Sequence, residues 1–154
     1  MSAYLSYWQD FWSAHGNPRR ITPLDWATES KSLYRSLQLG DTIWGVISGP
    51  KGHETEWRLL LKVVVKEKQE YQTAYGPYYI TGDPRSSVVF DIDIQPDFAA
   101  IMWVLDFKTG RRLRFVGKKI GQALQARGGR KLAHRDLALL EEYAEALTEI
   151  AALK

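Results

Sequence analysis

The 154-residue chain contains no cysteine, which removes disulfide frameworks and thiolate metal sites from consideration. A chain without cysteine suits a reducing compartment, and a cytoplasmic location is expected. Histidine is scarce: His15, His53 and His134 sit in unrelated segments, and none has a second histidine at ligand spacing. Long apolar runs are also missing. The longest, such as Ala99 to Leu105, falls far short of the ~20 residues that span a bilayer, so no membrane partner is expected. The start Met1-Ser2-Ala3-Tyr4 has neither a basic region nor a continuous apolar stretch, so no signal peptide is expected.

Signatures of catalysis are absent too. There is no phosphate loop of the Gly-x-x-x-x-Gly-Lys-Ser/Thr type, no Gly-x-Ser-x-Gly elbow and no dinucleotide fingerprint. No catalytic residue, no metal and no cofactor is assigned, and a binding module is expected rather than an enzyme. One enzymatic alternative stands beside it. Asp91 and Asp93, two apart on a predicted strand, would project from one face and could share a metal ion with Glu56 in a hydrolase or nuclease. No Glu-x-Lys follows them; the only such triplet is Glu29-Ser30-Lys31, far upstream.

Aromatics and local charge are what the chain has in quantity. It carries six Trp, eight Tyr and five Phe, which first of all fill cores. The net charge of +3 hides an asymmetry. From Leu105 to Arg135 ten basic residues face a single acid, Asp106, giving +9, while the rest of the chain carries −6. Within that stretch Arg112, Arg114, Lys118, Lys119, Arg127, Arg130 and Lys131 group around a predicted strand end and a Gly-rich loop, as a phosphate-binding surface would require. An equally available reading is a solvated face balanced by Glu141, Glu142, Glu145 and Glu149.

Periodicity outlines one domain over residues 1–154. Tyr4, Leu5, Trp8, Phe11 and Trp12 fall at helical spacing, so Tyr4 to Ala14 is predicted helical and residues 1–20 form an N-terminal helical extension. A short helical turn is predicted around Lys31 to Leu37, and strands over Asp41 to Ser48, Glu56 to Lys66 and Ser87 to Ile94. In the second of these, Trp57, Leu59, Leu61, Val63 and Val65 share one face. Tyr71 to Ser86 is a loop with a short strand at Tyr78 to Ile80. Ile101 to Phe107 and Arg111 to Val116 are predicted to flank a hairpin turn at Lys108-Thr109-Gly110. Helices are predicted around Lys118 to Ala126 and from about Arg135 to Leu153. Five strands with terminal helices and no βαβ alternation indicate an α+β fold, a small mixed or antiparallel, partly open β-barrel with flanking helices.

Several stretches carry a family resemblance. Trp26-Ala27-Thr28-Glu29-Ser30-Lys31-Ser32-Leu33 followed by Leu39-Gly40-Asp41-Thr42-Ile43-Trp44 resembles EVE domains of the PUA-like superfamily, as does Val88-Val89-Phe90-Asp91-Ile92-Asp93. The tail from Ile120-Gly121-Gln122 through Arg130-Lys131-Leu132-Ala133-His134-Arg135-Asp136 is similar to the ending of such domains. Two departures stand out: Ala133 occupies the place of a Thr helix cap, and a helix is predicted where that family has an N-terminal strand. The resemblance implies a barrel whose cleft holds one nucleobase, often modified, between aromatic walls. Trp26, Trp44, Tyr75, Tyr78 and Tyr79 would then form the walls, and Ser30, Lys31 and Ser32 would donate hydrogen bonds to the base edge. Stacking contributes about 1–3 kcal/mol per base. The expected partner is therefore nucleic acid, DNA or RNA, with an effector protein as a possible second partner. The alternative is a protein–protein adaptor whose aromatic and basic surfaces dock an acidic partner.

Overall fold

The computed structural model describes residues 1–8, 25–49, 56–73, 76–93, 95–113 and 129–147. Its elements are β1 (Ala3–Tyr7), β2 (Asp25–Thr28), α1 (Lys31–Ser36), β3 (Thr42–Ser48), β4 (Trp57–Thr73), β5 (Gly76–Gly82), β6 (Val88–Val89), α2 (Ala99–Val104), β7 (Arg130–Lys131) and α3 (His134–Glu145). The fold is mixed α+β. One sheet runs in the order β2-β5-β4-β3-β1-β7, with β6 paired to β4. Every pairing is antiparallel except β1 on β3. The end strands β2 and β7 do not pair, so the sheet is open and does not close into a barrel.

The N-terminal expectation is corrected here. Ala3–Tyr7 is a strand, its first four residues buried, lying between β3 and β7. The helical spacing of Tyr4, Leu5 and Trp8 misleads because this strand has no solvent face: Tyr4 belongs to one core, Ala3 and Leu5 to another. The rest of the predicted extension, residues 9–20, lies outside the described residues.

Strand β4 organises the molecule. Its first half pairs with β3 and its second with β5. Between Gly45 and Val46 the register slips, so that Leu60 is an extra residue in β4. A one-residue insertion reverses the faces of all that follows. Leu61, Val63 and Val65 accordingly pack with Ile43, Ile47, Ile80 and Trp26, whereas Trp57 and Leu59 pack with Trp44, Val46, Phe98 and Leu140. The expectation that Trp57, Leu59, Leu61, Val63 and Val65 share one face is thus overturned by one bulge. The sheet also bends, bringing the Trp26 ring of β2 against Gly45 of β3, three strands away in the order. One core fills the inside of this bend, and the second lies between the opposite face and helices α2 and α3.

Two further expectations change. Ile101 to Phe107 is not a strand: Ala99–Val104 is helical, with Ala99, Met102 and Leu105 buried at helical spacing. No strand covers residues 111–113, and Arg114 to Val116 lie outside the described residues. The predicted strand Ser87 to Ile94 shrinks to β6. Beyond it the Gln95 side chain takes over the pairing, accepting the Leu59 N–H at 2.6 Å and donating to the Leu59 carbonyl at 2.8 Å. Conversely, the polar segment read as a loop after Tyr71 continues as a hairpin of β4 and β5.

The Gly40-Asp41 pair has a local explanation. Gly40 adopts φ of 91°, which an L side chain resists, and turns the chain from α1 into β3. The buried Asp41 carboxylate then accepts the N–H groups of Ser2 and Gln38, both at 2.9 Å, tying β1's entry to this turn. Among the described residues, no helix is long and apolar enough to cross a membrane.

Candidate functional site

The residues expected to form one base pocket are distributed over both faces of the sheet. Trp26 is buried inside the bend, edge-on to Trp8 with ring centroids 5.4 Å apart. Trp44 is fully buried on the opposite face, beneath Lys62, whose Nζ lies 5.1 Å from its ring centroid. The two indoles therefore do not face each other across a cleft. Ser30 is the N-cap of α1, its hydroxyl accepting the Leu33 N–H at 3.1 Å. Lys31 and Ser32 are exposed on the first turn of that helix.

Tyr78 and Tyr79 are neighbours on β5 and so point to opposite faces. Tyr78 stacks on Tyr34 with centroids 4.8 Å apart and 30° between planes, both rings half-buried. Lys68 lies 4.7 Å from the Tyr34 centroid and donates to the carbonyls of Tyr34 and Leu37 at 2.7 and 2.6 Å, closing the C-terminal end of α1. Tyr79 donates its hydroxyl to Asp25 and meets the exposed Tyr71 edge-on at 6.0 Å. Burial first, and then the Asp25 carboxylate, push the Tyr79 phenol up to about 12. Tyr75 lies outside the described residues. Tyr34 and Lys68 were not singled out by sequence, since a tyrosine on a short helix and a lysine in a polar strand have no periodic signature.

The basic residues gather at the other end of the strand order. Lys108, Arg111, Arg112, Arg130, Lys131 and Arg135 come from the 105–113 loop, the edge strand β7 and the start of α3. The Lys108 N–H donates to the Lys131 carbonyl at 2.9 Å, clamping loop to strand. Arg130 lies over the Phe107 ring at 5.3 Å and donates to the Arg111 carbonyl at 3.2 Å. Its guanidinium is held below its ordinary value by burial and by the charge of Arg111. Asp106 pairs with both Arg112, at 3.1 Å, and Arg135, at 3.3 Å. Arg114, Lys118, Lys119 and Arg127, together with the helix predicted at 118–126, lie outside the described residues.

This loop is held in an uncommon shape. Phe107 has φ of 56°, the one positive value among described non-glycine residues. Asp136, fully buried at the start of α3, accepts the N–H groups of Asp106 and Phe107 at 2.8 Å each and that of Ala133 at 2.9 Å. Ala133 has no side-chain acceptor to cap α3, and the third residue of the helix reaches back to its N–H instead. An Asp three positions after the cap residue is the signal from which this anchor was readable.

The hydrolase geometry is not what the spacing suggested. Asp91 and Asp93 follow β6 in a turn, with the Asp91 carboxylate accepting the Asp93 N–H at 2.9 Å. Glu56 pairs with Arg58 at 3.2 Å. Among the described residues, no group of three or more potential ligands is placed to hold a metal ion. No family model and no curated protein matches the chain.

Proposed function

We propose that this protein is a non-catalytic nucleic-acid-binding module that takes the phosphate backbone on the basic end of its sheet. The observation that supports the reading is the gathering of Lys108, Arg111, Arg112, Arg130, Lys131 and Arg135 around one clamped loop, with Asp106 as the solvent-accessible carboxylate paired among them. Crowded like charges attract a polyanion and release counterions when it binds. The base-reading part of the proposal, with the PUA-like relationship and a preference for a modified base, would use Tyr78 and Tyr34. These stack on each other at the opposite end of the strand order from the cations, as a separate contact rather than as a wall shared with the phosphate surface. A cytoplasmic setting belongs to the same proposal.

The test is fluorescence anisotropy with labelled 20-nucleotide single strands and duplexes of DNA and RNA over a range of NaCl concentrations. Affinity should fall linearly with log salt, by a slope of about −0.9 per phosphate contacted on duplex DNA. Lys108→Ala with Arg111→Ala and Lys131→Ala should flatten that slope by about 2–3. Absence of binding at 50 mM salt, with a cooperative thermal transition intact, sinks the reading. The adaptor reading has its own supporting observation: Trp103 and Val104 are side by side on α2 and 48% and 38% exposed. It expects Trp103→Ser to abolish a stable complex without changing the anisotropy titration.

A further inference from the structure

Within the basic cluster the cations fall into two groups. Arg112 and Arg135 already hold an anion, because the Asp106 carboxylate offers one oxygen to each guanidinium, Oδ1 at 3.1 Å and Oδ2 at 3.3 Å. A two-oxygen anion bridging two guanidiniums is the arrangement a phosphodiester group would adopt there. Lys108, Arg111 and Lys131 are exposed, while Arg130 leans on Phe107. Asp106 is held in place by more than its arginines. Its own N–H is bonded to the buried Asp136 carboxylate, and the next residue carries the positive φ that fixes the loop.

We propose that Asp106 is an internal stand-in for phosphate that sets the threshold of the basic surface. This deepens the nucleic-acid reading and rests on it. Lys108, Arg111, Arg130 and Lys131 offer the first contacts, and Arg112 with Arg135 engage only when a ligand phosphate displaces the Asp106 carboxylate. A polyanion presenting several phosphates in a row gains these two contacts, because its other phosphates hold it at the site while the exchange occurs. Inorganic phosphate, which binds singly, has no such advantage. The surface is thereby selective for a continuous backbone over isolated anions.

The experiment is a comparison of Asp106→Asn with wild type in the anisotropy titration, using a labelled 20-base-pair DNA duplex, with inorganic phosphate as competitor. Asp106→Asn should bind about 3–10-fold more tightly at 50 mM salt, because its arginines need not first release a carboxylate, while its log–log salt slope should stay close to that of wild type, since the same phosphates are contacted in both. Phosphate should compete at lower concentration against the variant. Arg112→Ala with Arg135→Ala should change wild-type affinity less than it changes that of Asp106→Asn, where it should remove the gain. Glu142→Gln alters the net charge equally, on an exposed position of α3, and controls for long-range attraction. Equal gains in Asp106→Asn and Glu142→Gln overturn the proposal, as does an unchanged affinity in Asp106→Asn while Lys108→Ala, Arg111→Ala and Lys131→Ala still weaken binding. That last pattern leaves the nucleic-acid reading standing. No binding by wild type or by Asp106→Asn at 50 mM salt removes both. Binding by Asp106→Asn alone removes both as well, because the wild-type surface then takes no polyanion. Asp106→Ser repeats the test should the Asn variant lower the melting temperature.

Discussion

The carboxylate of Asp136 accepts the backbone N–H of Phe107 at 2.8 Å, and Phe107 is the described non-glycine residue whose φ is positive. The bond explains the conformation. A left-handed backbone at a bulky residue costs on the order of 1–3 kcal/mol and persists only where its surroundings hold it. Here the same carboxylate fixes Asp106, Phe107 and the first turn of α3, so one buried residue sets the position of the loop that carries Lys108, Arg111 and Arg112.

Asp136→Ala should therefore destabilise the fold strongly. It leaves three backbone N–H groups without their acceptor, one of them in a fully buried bond. With about 1–3 kcal/mol for each buried unsatisfied donor and less for those near water, a total loss of about 3 kcal/mol is expected. For a domain of this size that is a fall of about 6–12 °C in Tm. Asp136→Asn keeps one acceptor oxygen and should lose roughly half as much. A change under 1 kcal/mol in both would show that the loop holds its shape without the carboxylate.

Two glycines should resist substitution for different reasons. Gly76 has φ of 142°, and a Cβ there would overlap the Thr28 backbone carbonyl where β2 meets β5. The obstacle is backbone and not a flexible side chain, so Gly76→Ala should cost about 2 kcal/mol or more. At Gly45 a Cβ would come 2.8 Å from the Trp26 ring and 2.9 Å from Leu61 Cδ1. Overpacking of that kind costs about 1–3 kcal/mol. Because the obstacle is a side chain, Trp26→Phe should recover part of the Gly45→Ala loss. Strict additivity in urea denaturation would mean that Trp26 does not lie over Gly45.

How much of this was legible in the sequence depends on how many faces each segment buries. Helix α1 and the stripe of α3 emerged because each meets its core in regular steps, although α3 ends at Glu145 and residues 148–153 of its predicted span lie outside the described residues. Strand β3 is buried on both faces and emerged instead from its β-branched residues between turn signals. Ala3 to Ser6 are buried on both sides and carry no alternation to read. The run Ala99 to Leu105 is apolar throughout, and α2 forms because Phe98, Met102 and Leu105 fit the second core only as a helix. The Leu60 bulge is invisible in a run of three leucines, yet it decides which face Trp57 occupies. The same limit governed the candidate site. Trp26 and Trp44 read alike in sequence, and the bend places them in separate cores. Asp106 stood out as a lone acid, but the two arginines it joins, Arg112 and Arg135, lie 6 and 29 residues away.

Among the described residues, the buried indole N–H groups of Trp44 and Trp57 meet no acceptor. A buried donor left unpaired costs about 1–3 kcal/mol, so removing it offsets part of the packing lost when an indole becomes a phenyl ring. Trp57→Phe should therefore alter stability by no more than about 1 kcal/mol, whereas Trp57→Ala should cost about 3–5 kcal/mol. The edge contact with Tyr7, at 5.2 Å between centroids, is of a kind that a phenylalanine ring can keep. Equal losses in the two variants would reveal a hydrogen bond to the indole.

Alkaline pH should weaken the fold through two tyrosines. Burial and the Asp25 carboxylate push Tyr79 up to about 12. Burial does the same for Tyr143, whose hydroxyl donates to the Pro96 carbonyl at 2.8 Å. An unfolded tyrosine titrates near 10. Since the folded values are raised, the unfolded chain releases these protons first. The contribution is fully present below pH ~10 and disappears as pH rises through about 12. The urea midpoint should thus decline between pH 10 and 12, and Tyr79→Phe with Tyr143→Phe should flatten that decline. Absorbance at ~295 nm offers an independent reading, in which these two phenols should ionise after an ordinary exposed tyrosine. A wild-type midpoint level across this range, or a decline equal in the double variant, would place the alkaline sensitivity elsewhere in the chain.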